Sequence, residues 1–189
     1  MGFFTITIPG ILYRFAQLIG APFVNPNVLW FALPLIISII VIELYFGRYK
    51  KEELGWNTAV MNALVLIFTS LDLFQYAFGL PKGFFSTLAS MPFLVALFVL
   101  LLGIGLFLLD FFHKLPRKLA FKISAHLPIN LTAYTSLVVV YNGVPIDLMT
   151  LIALFIMIIV FTLIFFFIRL LEPTGREEES YPVKASKRL

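Results

Sequence analysis

The chain has no cysteine and only two histidines among its 189 residues. The first absence removes disulfides, thiolate metal sites, cysteine nucleophiles and iron–sulfur ligation together. The second leaves too few imidazoles for haem ligation, and a metal centre needs several converging ligands. Asp110, His113 and His126 form the one acid-plus-imidazole grouping, and no HExxH motif, paired acidic motif, nucleophile elbow or glycine-rich phosphate loop accompanies them. Charge is scarce as well. Only 13% of residues are charged, against about 25% in a soluble domain. A soluble fold and an enzyme are both disfavoured, and no catalytic residue, metal or cofactor is expected.

Apolar surface takes the place of what is missing. The chain is 61% hydrophobic, with a mean hydropathy of +1.01. Its length holds about five membrane spans of about 20 residues and leaves no room for a separate globular domain. The expected fold is all-α, a polytopic integral membrane bundle of about five transmembrane helices with an N-terminal interfacial segment. Residues 1–27 are that segment, 28–171 the transmembrane domain and 172–189 a charged, loosely attached tail. The opening stretch lacks the basic n-region and cleavage site of a signal peptide, so it is not expected to be removed. Pro9, Gly10, Gly20, Pro22 and Pro26 break its apolar runs, so it reads as a short helix at the membrane surface or a cap on the bundle.

Five spans follow, over residues 28–46, 56–80, 90–112, 125–143 and 144–171. The first carries Pro34, whose missing N–H predicts a kink, and Glu43 near its solvated end, where Gly47 stops the helix. Ser90 is placed to cap the third, and Gly103 and Gly105 allow a neighbouring helix to come close. The basic link before the fourth, HKLPRKLAFKIS, has the spacing of a short amphipathic helix and reads as positive-inside anchoring rather than a dedicated lipid site. With five crossings, every Lys and Arg except Arg14 and Lys82 falls on one side. The positive-inside rule then puts the protein in the cell membrane as a multi-pass chain, N-terminus outside and C-terminus cytoplasmic. The same placement explains the net charge of +4 without nucleic acid.

Two spans are polar on one face. At about 100° per residue, Asn57, Thr58, Asn62, Thr69, Asp72 and Gln75 of the second fall, with Tyr76, inside about 140° of arc. On the fourth, His126, Asn130, Tyr134 and Tyr141 lie within about 80°, while Thr132, Thr135 and Ser136 sit elsewhere and suit bonds back to their own helix. Such groups avoid lipid, so the fourth span should be central. If it were re-entrant, the polarity of the fifth would fail. At about 1.5 Å per residue, depth matches Asn62 with Asn130 and Asp72 with Tyr141. The expected function is a small channel or permease in which Asn62, Thr69, Asp72, His126, Asn130 and Tyr134 line a polar path. The alternative is a non-catalytic membrane subunit or scaffold whose polar residues hold helices together. No internal repeat is evident, which weakens a transporter built from inverted halves. The partners expected are the lipid bilayer and either further copies of the chain or a larger membrane complex.

Overall fold

Within a bilayer, a chain must satisfy its backbone polar groups internally, and each apolar run here does so as a helix. A computed structural model describes residues 7–48 and 55–171. Among them are eight helices and no strand: α1 (Ile8–Val24), α2 (Pro26–Arg48), α3 (Trp56–Gly79), α4 (Phe84–Leu88), α5 (Met91–Phe111), α6 (Arg117–Ile123), α7 (His126–Asn142) and α8 (Leu148–Leu171). Five stretches are long and apolar enough to cross a membrane, namely α2, α3, α5, α6 with α7, and α8. The protein is an all-helical, multi-pass membrane bundle.

The polar fourth crossing takes the central place. In its apolar window 72% of residues are buried, against 17% in that of α8, which is the most hydropathic. It packs against α1, α2, α3, α5 and α8. It also traverses the bundle rather than re-entering it. Ser124, just before its start, meets Asn62 near the beginning of α3, whereas Tyr141 at its far end meets Asp72 near the end of α3. The end carrying α6, with Arg117, Lys118 and Lys122, is called the basic end below, and the other the far end.

Several local expectations change. Gly20 and Pro22 do not break α1, which runs as one helix capped by the Thr7 side chain. It packs on α8, α2 and α7 with Leu18, Ala21 and Pro22 buried, so it caps the bundle. Gly47 does not stop α2, which continues to Arg48, and Glu43 is buried rather than solvated. Ser90 precedes α5 as foreseen, but its hydroxyl bonds back to the Thr87 carbonyl. The short α4 was not anticipated. The charged tail and most of the link after α2 lie outside the described residues.

The most extensive helix pair is α3 with α5, and Gly103 is the reason they come so close. A Cβ at this position would stand 2.9 Å from Ile67 Cγ1, 3.0 Å from Leu66 Cβ and 3.1 Å from the Ile67 backbone nitrogen. Nothing lies within 4 Å of a Cβ at Gly105. Gly103→Ala should therefore force the two helices apart at a cost of about 1–3 kcal/mol. Gly105→Ala should leave stability unchanged, and thermal unfolding of both variants in one detergent measures the contrast.

Candidate functional site

The polar residues of α3 and α7 gather at two stations. At the far end, the Tyr141 hydroxyl donates to Asp72 Oδ2 at 3.1 Å, the partner that depth alone predicted. The Tyr141 ring packs on Tyr76 and Phe31, with centroids 4.4 and 5.6 Å away. The Asn25 amide, at the joint of α1 and α2, donates to the Tyr141 carbonyl and to Asn142 Oδ1. A polar-rimmed cavity of about 660 Å³ opens beside them, lined by Tyr13, Gln17, Asn25, Tyr141 and Asn142.

The second station lies at the basic end. Asp110, in the last turn of α5, has no exposed surface, and its Oδ2 accepts a 2.5 Å bond from the Ser124 hydroxyl. Its Oδ1 has no partner. Asn62 Nδ2 donates to the Ser124 carbonyl at 2.7 Å. That bond displaces the expected pairing of Asn62 with Asn130. Ser124 lies between α6 and α7, ahead of the Ala125 cap, so its carbonyl belongs to neither helix's ladder and a side chain from α3 satisfies it. Asn130 instead donates to the carbonyl of His126 one turn back, and its Oδ1 and His126 Nε2 are buried without partners. The His126 ring stands 6.4 Å from that of Phe46 on α2.

Tyr134 repeats the arrangement on another face. Its hydroxyl donates at 2.6 Å to the carbonyl of Leu18, which Pro22 has left without an N–H. Tyr134 thus turns to α1, away from α3, and lines an apolar cavity of about 190 Å³ with Ile36, Met157 and Phe161. Between the stations, Ala63, Leu66, Ala133, Leu137 and Val138 are buried, with Thr69 and Ser70 the polar residues at this level of α3, Ser70 bonding back to the Ile67 carbonyl. From Asn62 to Asp72 this closed layer spans about 15 Å. Of the six candidates, Asn62 and Asp72 each reach the segment of α6 and α7 they face, whereas Tyr134 joins a different neighbour. Ser124 and the Leu18 carbonyl were not foreseen. A proline four residues downstream was the legible mark of the Leu18 carbonyl.

Comparison with known protein families, curated proteins and solved structures finds no match. The chemistry therefore has to be read from the geometry. Among the described residues, no group of three or more His, Cys, Asp or Glu is arranged to hold a metal ion. A third groove, of about 380 Å³, lies between α5 and α8 with α7 as its floor. Thr132 and Ser136 on that floor bond back to carbonyls of their own helix as expected, but the buried Thr135 hydroxyl has no partner.

At the far end α1 is fastened by Arg14, whose guanidinium donates to Gln17 and, at 3.2 Å, to Asp147 ahead of α8. Asp147 also accepts from the backbone N–H and hydroxyl of Thr150, capping α8. Burial acts to raise the Asp147 pKa, but the bonds from Thr150 and the contact with Arg14 outweigh it and hold the carboxyl below its ordinary value. The stabilisation is complete above the ordinary carboxyl pKa of about 3.9 and is lost as the pH falls through the lower folded value. Asp147→Ala should thus lower the unfolding temperature at neutral pH, by the equivalent of about 1 kcal/mol for a lost cap. Circular-dichroism melts should show the gap from the unaltered protein closing as the pH is taken below that range.

Proposed function

We propose that the protein is a small, non-enzymatic channel or permease for the proton or a small cation, with Asp72 and Asp110 as the groups that meet it. One observation carries this reading. Two carboxylates, Asp110 fully buried and Asp72 half-buried, stand near opposite ends of the helices around α7, and neither has a Lys, Arg or His in ion-pair reach among the described residues. Uncompensated acids inside a membrane are costly, and packing alone gives no reason to keep them. In this reading Asp72 is joined to the far-end cavity through Tyr141, which lines it, Thr69 lies along the route, and the packed layer around Leu66, Leu137 and Val138 is a closed gate. Asn62 and Tyr134 act as fasteners, and His126 and Asn130 supply unpaired acceptors near the inner mouth. By its distribution of basic residues the chain is placed in the cell membrane with the basic end cytoplasmic.

The groove over α7 favours a second reading, a non-catalytic subunit or scaffold in a larger membrane complex. A partner helix seated between α5 and α8 would bring a hydrogen-bonding group to Thr135 in a medium that has no water to offer. Reconstitution of the chain alone into liposomes separates the two. The transport reading expects proton or monovalent-cation flux above protein-free vesicles, reduced about tenfold or more by Asp72→Asn and by Asp110→Asn. Flux indistinguishable from empty vesicles, or unaltered in both variants, removes it in favour of the subunit reading.

A further inference from the structure

The turn that ends α5 holds a residue it should not favour. His113 N–H bonds to the Asp110 carbonyl and Lys114 N–H to the Leu109 carbonyl, the paired bonds of a helix terminated by a left-handed residue. That residue is His113, with φ +51°, the one non-glycine residue of positive φ among those described. Glycine is the usual occupant because it alone carries no Cβ to clash. The imidazole explains the exception. It lies on the indole of Trp56 with centroids 4.2 Å apart, Phe121 of α6 meets the same indole edge-on at 5.1 Å, and the Arg117 guanidinium stands 5.3 Å over Phe121. The corner between α5 and α6 is thereby fixed on the start of α3 by a row of rings.

On this fixed corner Lys114, Lys118 and Lys122 are exposed, and none has an acidic partner among the described residues. Phe111, Phe112, Leu119 and Ile123 are exposed beside them. Lys118 and Lys122 share one face of α6, whose Ala120 is buried. We propose that this corner is a binding site for the phosphate of an anionic lipid headgroup, with Lys114, Lys118 and Lys122 supplying the charge and His113 the post that sets the corner's shape. Topology needs only the number of positive charges and gives no reason for a strained histidine stacked on tryptophan. The apolar side chains in the same stretch select a lipid over a soluble anion, because they place the cations at the level where acyl chains meet headgroups. The inference stands whether or not a solute passes along α3 and α7.

The test uses the full chain, purified and delipidated in a neutral detergent, with thermal unfolding followed while short-chain phosphatidylglycerol, short-chain phosphatidylcholine or inorganic phosphate is titrated in. Phosphatidylglycerol should raise the unfolding temperature in a saturable way, with phosphatidylcholine and phosphate giving little. The combined Lys114→Gln, Lys118→Gln and Lys122→Gln variant should lose that response. His113→Gly relieves the backbone and keeps the fold, yet should weaken the half-saturating phosphatidylglycerol concentration about fivefold through loss of the ring contact. Equal responses to the two lipids, a lysine variant that responds as before, or His113→Gly binding at full strength would each overturn the site. A shift reproduced by phosphate alone would overturn its assignment to lipid.

Discussion

A proline inside a membrane helix leaves one carbonyl without its N–H, and the bilayer holds no water to replace it. Two carbonyls without a helical N–H, one of them left by a proline, organise this fold. Pro22 leaves the carbonyl of Leu18 to the Tyr134 hydroxyl, and the break between α6 and α7 leaves that of Ser124 to the Asn62 amide. The first bond ties α1 to α7, and the second ties α3 to the break between α6 and α7. An unpaired buried carbonyl costs about 1–3 kcal/mol, whereas an ordinary interhelical hydrogen bond in a membrane averages about 0.6 kcal/mol. These two contacts therefore weigh more than their number suggests in deciding what packs against α7.

Once those bonds are assigned to holding the bundle, the remaining polarity stands out more clearly. Asn62 and Tyr134 have structural reasons to be where they are. Asp72 and Asp110 have acceptor bonds but no counter-charge among the described residues, which is why a transport role rests on them and not on the whole polar stripe. The apolar layer between the stations and the groove over Thr135 are the two features that pull against each other. One is a packed apolar layer between Asn62 and Asp72, the other an open groove over a hydroxyl without a partner.

Hydropathy and polarity made the crossings and the central place of α7 legible, because an amide-bearing, hydroxyl-bearing helix has nowhere else to go. Depth counting found Asp72 and Tyr141, since both side chains are long enough to meet at a shared level. It failed for Asn62 and Asn130 because it matched side chain with side chain, while the break between α6 and α7 left a backbone acceptor nearer at hand. Tyr134 was grouped with the face toward α3, but a stripe about 80° wide can serve two neighbours, and α1 claimed it. Pro22 was read as a break in α1, although a helix whose freed carbonyl is satisfied by its neighbour continues. Nothing in the local pattern marked His113 as a left-handed residue, because its reason is a ring on another helix.

The claim that the carbonyl vacated by Pro22 holds α7 in place is tested most directly by a double-mutant cycle on Tyr134 and Pro22, read as unfolding free energy in detergent. Tyr134→Phe should cost about 1–3 kcal/mol in the native background, where it leaves the Leu18 carbonyl buried and unpaired. In the Pro22→Ala background residue 22 regains its N–H for that carbonyl, and the same change should cost markedly less, giving a coupling of about 1 kcal/mol. Equal costs in the two backgrounds would show that the hydroxyl does not serve the carbonyl that Pro22 frees, and would contradict the account.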